Sequence, residues 1–526
     1  MPISRKENIQ FLKNHPDDWD LIVIGGGATG LGAAVDAAAR GFKTVLLEQS
    51  DFAKSTSSRS TKLVHGGVRY LQQGDVKLVR EALHERGRMA RNAPHLVKNQ
   101  KFIITNRRHW EQPFYSLGLK VYDMLAGGLN IGRSKIYSKK KVVDGIPQIK
   151  QDGLVGGVMY YDGQFDDARM AINLMQTATE KGATLVNYTK VTELTKDNGK
   201  VVGVKVEDSL DGETFSLKGK AIINATGIFV DEVLSMDVKD HKATVRPSQG
   251  VHLIVDGSFL GGNDAIMVPK TPDGRVLFCV PWHNKVILGT TDTPLTEFIL
   301  EPRPLEEEID FILETAGQYL AKKPERKDVL SAYAGLRPLA APKEGADPNK
   351  TKEISRSHKL FINDSGLITI TGGKWTTYRQ MAEETIDLAI SKAGLPQKPC
   401  VTREMKIHGY KPTTDSERQD WIYVYGSDAE KIQALANEKP ELAEKIHPNF
   451  EFTGAEVVWA AREEMATSVE DVLARRIRGL FLDARASKEM AYKVADILAQ
   501  EWDKNEAWKT QQISEYMALA DGYILD

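Results

Sequence analysis

The stretch DLIVIGGGATGLGAAVDAAARGFKTVLLEQ, Asp20 to Gln49, constrains this chain more than any other. Leu21 to Ile24 predict a short buried strand, and Gly25, Gly27 and Gly30 then fit the spacing GxGxxG. An alanine-rich helix follows and stops at Gly41, which can adopt the left-handed cap. Thr44 to Leu47 predict a second buried strand, and Glu48 closes the unit. In such a unit the first glycine makes the turn and the second lets a pyrophosphate approach the backbone. The third lets helix and strand pack closely, and the acid can bind ribose hydroxyls. The positive end of the helix receives the anion. These parts in this order predict an α/β, Rossmann-like domain holding an ADP-type ligand.

The 526 residues leave room for two to four domains. Seventy basic against seventy-two acidic residues give a formal net charge of −2, so no global positive field exists to collect nucleic acid. Cys279 and Cys400 lie far apart and form no CxxC pair, which argues against a disulfide scaffold or a cysteine-rich metal site and suits a reducing compartment. The amino terminus lacks the apolar core of a secretory signal, and the apolar stretch Leu21 to Ala39 is broken by glycines and Asp36. A cytoplasmic location is expected, with peripheral contact at the inner face of the cell membrane left open.

Two more strand-to-small-residue turns lie far downstream. AIINATG runs into Ala225, Thr226 and Gly227, and GLITITGGKWTTYRQ runs into Gly372 and Gly373. After the second, Thr377 and Gln380 predict a capping box for a helix ending at Gly394. A further helix is expected from Asp166 to Lys181. Together these turns predict one nucleotide domain assembled from residues 18–99, 153–242 and 335–396. Residues 100–152 and 243–334, richer in β-branched and aromatic residues, predict an antiparallel β substrate domain. Residues 400–526 carry helical periodicity and predict a helical carboxy-terminal domain. Contacts from several turns suit the long FAD better than NAD. No second complete dinucleotide unit is found, so substrate and final electron acceptor are both expected to deal directly with the flavin.

The segments STSSRSTKLVHGGVRYLQQGD, VKLVREALHER, NATG, ILGTTDTP, YAGLRPL and TGGKWTTYR occur in this order after the glycine turn. Together with the carboxy-terminal EVVWAAREEMATSVEDVLARRIRGLFLD, they closely resemble the FAD-dependent glycerol-3-phosphate dehydrogenases. The resemblance spans about Asp20 to Asp483. It implies a glutathione-reductase-type FAD domain joined to an antiparallel sheet and a helical cap. It also implies that sn-glycerol 3-phosphate is oxidised to dihydroxyacetone phosphate by hydride transfer to flavin N5, with electrons passed to a membrane quinone.

By the same resemblance, the loop holding Ser57, Ser58, Lys62, His65, Gly66 and Gly67 lines the cofactor, as do Ala225 to Gly227 and Gly372, Gly373, Lys374 and Thr376. Arg69, Tyr70, Arg356 and Lys374 are the implied substrate contacts, suited to a phosphomonoester by their charge. His252 falls at an active-site histidine of the family and is the easier base, since its unperturbed pKa is about 6.5 while arginine stays protonated. Arg337 is the other group that could handle the proton or stabilise charge. Taken without the resemblance, a histidine in an apolar strand is more often a packed core residue, and single surface cations are usually solvated.

Other readings stay open at this level. They are a glycerophosphate oxidase giving hydrogen peroxide, a related enzyme acting on an amino acid, and a non-catalytic FAD-bound interaction protein. The segment Arg107 to Lys141 mixes apolar residues with flanking cations; it either rests on an anionic membrane or packs on the core with a solvated lysine turn. A homodimer is also left open.

Overall fold

The computed structural model describes residues 4–15, 17–72, 74–269, 271, 275–341 and 357–526. Trp19–Ile24 lies at the centre of an eight-stranded sheet, hydrogen-bonded in parallel to Thr44–Leu47 on one side and Thr214–Asn224 on the other. Thr184–Val186 extends the parallel run beyond Thr44–Leu47, and Ile368–Gly372 extends it beyond Thr214–Asn224. Leu21, Val23, Leu46 and Ile223 are fully buried, as expected of strands covered on both faces.

The helix Ala28–Ala39 crosses over this sheet and packs between the helices Asp167–Glu180 and Tyr378–Ala393. Its alanines bring the three helices close. Gly41 and Gly394 take the left-handed caps, with φ of 73° and 62°. The expected capping box at Thr377 is not formed. A 3-10 turn, Trp375–Thr377, precedes the helix; the Thr377 hydroxyl donates to the Lys374 carbonyl at 3.2 Å, and Gln380 turns to Glu384 at 2.9 Å. The extra turn supplies the backbone partners that the box would have supplied.

A second, ten-stranded sheet is mostly antiparallel. Its spine is the long pair Val245–Asp256 and Val329–Ala340, in register from Val245 opposite Ala340 to Ile254 opposite Ser331. Lys98–Asn106 pairs along its whole length with Gly156–Gln164. That partner falls in a stretch expected in the nucleotide domain, and Val329–Ala340 runs unbroken across the division expected at residue 335. Strand pairing is set by long-range partners, and nothing local in GGVMYYDGQ states which sheet will receive it.

The carboxy-terminal part is helical, with Gly454–Glu463, Ala484–Glu501 and Glu506–Asp521 packed together and a π-helical turn at Asp471–Arg476. Its last residues return to the second sheet, where Ala332 N–H donates to the Tyr523 carbonyl. At another contact of this part with the nucleotide domain, His408 bridges two carboxylates, with Nδ1 2.6 Å from Glu180 and Nε2 2.5 Å from Asp428. Burial opposes the imidazolium, but Asp428 and Glu180 outweigh it and push the His408 pKa up to about 9. A pKa raised by folding stabilises below the unfolded value of about 6.5. That stabilisation is lost as pH climbs through about 9. The thermal midpoint of the wild type should therefore fall across this window, and His408→Gln should flatten the fall. Calorimetric scans at stepped pH measure it.

Candidate active site

The glycine turn is built by close approach. Gly25 has φ of 108°, and a Cβ there would stand 2.7 Å from the Ala225 carbonyl oxygen. A Cβ on Gly30 would collide with the Gly25 carbonyl itself. Glu48 reaches back to this turn, accepting from Gly26 N–H at 2.6 Å and from Ser50 N–H at 2.8 Å. Burial raises its pKa, against the pull of those two N–H donors.

A long pocket opens over the turn. Gly25, Gly27, Glu48, Ser57, Ala225, Thr226, Gly227, Gly372, Gly373 and Lys374 all line it. Sequence reasoning missed several of its walls, including Gln49, Lys54, Thr56, Thr189, Phe229, Leu300, Pro338 and Trp375. Trp375, inside the quoted TGGKWTTYR, donates its indole N–H to the Ser57 carbonyl at 2.8 Å. Thr56 donates to the Leu336 carbonyl at 2.7 Å. These two bonds tie three distant parts of the chain around one cavity.

Ser58, Lys62, His65, Gly66, Gly67 and Thr376 stand outside that lining. Lys62 departs furthest from expectation. It is fully buried with a left-handed backbone, φ 62°, and turns its ammonium to Asp167 and the Ser58 carbonyl, each at 2.7 Å. Arg478 meets the same two groups from the carboxy-terminal part at 3.1 and 3.0 Å. Burial lowers the Lys62 pKa to about 7, opposed by Asp167. His65 and Thr376 bond each other, the His65 N–H donating to the threonine hydroxyl at 3.2 Å. Gly66 N–H donates to the Tyr122 hydroxyl at 2.8 Å.

Of the implied substrate contacts, Arg356 and the side chain of Arg69 lie outside the described residues. Lys374 and Tyr70 come together: the ammonium sits 3.9 Å from the centre of the tyrosine ring. Arg337 and His252 share one face of the long strand pair, where Ser248 faces Arg337 and His252 faces Tyr333. The Arg337 guanidinium lies over Gly250, donates to the Gln249 carbonyl at 3.3 Å, and stands 3.6 Å from Asp292. The next residue, Pro338, lines the pocket.

His252 is 2% exposed, stacks on Tyr333 at 4.9 Å, and places Nε2 2.8 Å from the Thr61 hydroxyl. Thr61 and Tyr333 are thus the neighbours of the expected histidine and went unnoticed in the sequence, where neither type carries a chemical signal. Burial, then Lys62 and Arg337, hold the His252 pKa well below its usual value.

The turn, its unfilled Cβ positions and the helix N-terminus behind Gly27, whose Ala28 N–H donates to the Ser57 hydroxyl at 2.9 Å, fit the pyrophosphate of a dinucleotide. A pocket walled by segments so far apart in sequence suits the longest of these, and the class is that of the FAD-dependent oxidoreductases. Residues 20–379 match the family described as FAD dependent oxidoreductase, and residues 367–509 match the C-terminal domain of alpha-glycerophosphate oxidase.

The mitochondrial glycerol-3-phosphate dehydrogenase of Mus musculus is 39% identical over 97% of this chain and 74% of its own length. Its counterpart in Arabidopsis thaliana is 37% identical, over 98% and 88%. The solved glycerol-3-phosphate dehydrogenase of Bacillus halodurans complexed with FAD superposes with a TM-score of 0.80 at 30% identity, covering 99% of this chain and 98% of that one. The chain belongs to the family of FAD-dependent glycerol-3-phosphate dehydrogenases. FAD is its cofactor.

Burial keeps the His252 imidazole neutral and the Lys62 and Arg337 cations add to this, so it should stay unprotonated at pH values well below the ordinary midpoint of about 6.5. Histidine-labelled NMR across pH 4–8 (on the order of the range in which imidazoles titrate) checks this, with His252→Asn assigning the signal. Lys62→Met should move the midpoint upward, because it removes one of those cations.

Proposed function

We propose that the protein oxidises sn-glycerol 3-phosphate to dihydroxyacetone phosphate and passes the electrons to a membrane quinone. The observation that carries the reading is the pairing of an FAD pocket with cations at its edge, Lys374 against Tyr70 and Arg337 beside Pro338. A phosphomonoester carries close to two negative charges and rewards such groups. FAD supplies the two-electron acceptor for the secondary alcohol. The residues supply position, charge and a proton acceptor. Lys374 and Arg337 hold the phosphate and orient the central carbon. His252, kept neutral, takes the hydroxyl proton at Nε2, with the Thr61 hydroxyl placed to relay it. Arg337 stabilises negative charge on the oxygen as that proton leaves.

Anaerobic addition of sn-glycerol 3-phosphate should bleach the flavin absorbance, and His252→Asn should slow the bleaching by roughly 10²–10⁴-fold. Arg337→Lys should weaken substrate binding, because a point charge replaces a planar fork. Bound FAD that does not bleach would sink the enzyme reading in favour of a structural flavin. Stoichiometric hydrogen peroxide in air would replace the quinone by oxygen.

The acceptor side has its own support. The helix Glu111–Ala126 buries Leu119, Tyr122 and Ala126 against the core, so its packed face is accounted for. Its other face stays apolar and open: Phe114 is 56% exposed, Leu117 69% and Met124 72%, with Trp110 58% just ahead of the helix. Spacings of three, four and seven residues put these side chains on one stripe. Lys120 lies in the same helix, and Arg133, Lys135 and Lys139 to Lys141 follow it in the chain. An exposed apolar stripe in a segment this rich in cations suits an anionic bilayer surface, from which a quinone could be taken. Among the described residues no helix is long and apolar enough to cross a membrane. The protein should co-sediment with anionic liposomes at low salt. Phe114→Glu with Leu117→Glu should abolish that while substrate still bleaches the flavin; sedimentation unchanged in the double variant would move the contact elsewhere.

A further inference from the structure

The carboxy-terminal part contributes no residue to the lining of the FAD pocket, yet its most heavily charged turn is pressed against the back of one pocket wall. Residues 49 to 57 form that wall; Gln49, Ala53 and Lys54 line the pocket, and Ala53 N–H donates to the Gly26 carbonyl of the glycine turn at 3.0 Å. At the wall's centre Asp51 faces away from the pocket and is completely buried.

Two consecutive arginines of the π-helical turn close on this one carboxylate. Arg475 reaches it through Nε at 2.5 Å, and Arg476 through both terminal nitrogens at 2.6 and 3.0 Å. A second tie lies beside it, Lys54 to Glu470 at 2.9 Å, and Glu470 in turn holds Arg475 at 2.8 Å. The wall is thus fastened on one side to the glycine turn and on the other to Asp471–Arg476. Burial opposes charge on Asp51, but Arg476 and Arg475 outweigh it and keep the carboxylate ionised. π-turns are rare and concentrate at functional sites, and here the wider turn delivers adjacent arginines to a single acceptor.

We propose that the turn Asp471–Arg476 is a latch on the FAD pocket, through which the carboxy-terminal domain sets how tightly and how long the cofactor is held. Asp51, Glu470, Arg475 and Arg476 act as positioning residues; none touches the pocket, and each acts through the wall. The coupling is reciprocal, because whatever the latch adds to FAD affinity, FAD adds to the stability of the latch. The inference rests on the cofactor, not on the identity of the substrate.

The test measures FAD rather than turnover. Glu470→Gln and Asp51→Asn should each raise the FAD dissociation constant of the apoprotein tenfold or more and speed release of flavin fluorescence from the holoenzyme, well below the unfolding temperature. Val458→Ala, a cavity in the same domain far from the wall in sequence, is the comparison for plain loss of stability. Removing FAD from the wild type should increase amide exchange at residues 470 to 477. If Asp51→Asn does not fold, Glu470→Gln decides alone, since Glu470 is partly exposed and tolerates the change. FAD affinity unchanged in Glu470→Gln, affinity lost equally in Val458→Ala, or exchange at the turn indifferent to FAD would each overturn the proposal.

Discussion

Asp51 and Asp167 have no exposed side-chain surface, and a carboxylate so placed is tolerable only where cations and donors meet it. Arg475 and Arg476 meet the first; Lys62 and Arg478 meet the second. Three of these four cations come from the carboxy-terminal part. The geometry of the pocket therefore depends on a domain that contributes none of its lining. Removing one partner from such a group would leave a charge stranded out of water, so the three parts of the chain are bound to a single arrangement.

The same charges reach His252. Lys62 carries Thr61 next to it, and Thr61 stands on Nε2 of His252. Burial does most to keep the imidazole neutral, and the residue next to its hydrogen-bond partner, Lys62, adds to it together with Arg337. The hydrophobic effect assembles the sheets, but it is indifferent to direction. Direction comes from these ion pairs and from a few side-chain bonds such as Trp375 to Ser57.

The division of labour across the fold follows. The parallel sheet presents the glycine turn and Glu48; the second sheet presents Arg337 and His252 from its long strand pair. The loop from Thr56 to Lys62 lies between them, bonded to Leu336 on one side and to Asp167 on the other. The helix Glu111–Ala126 packs one face against the core and turns its apolar stripe, Phe114, Leu117 and Met124, outward, and none of its residues lines the cofactor pocket.

How much of this could be read from the chain differs from element to element. The strand, turn, helix and acid of Trp19 to Glu48 were legible because their requirements are local: steric freedom at Gly25, close approach at Gly30, an apolar run for each strand. FAD, the fold class and the family followed from motifs whose order is itself sequence. Lys62 was expected along the cofactor only through the family resemblance of its loop, and nothing local reveals that its ammonium faces Asp167, more than a hundred residues away. The same distance hid the partners of His252, the sheet that receives Gly156–Gln164, and the meeting of Asp51 with Arg475 and Arg476. Sequence by itself determined the conformation of the glycine turn and the dinucleotide class it can receive, since those depend on neighbours along the chain. Only the tertiary structure decided which charges share a buried space, because desolvation and Coulomb forces act on distance through space and take no account of position in the chain.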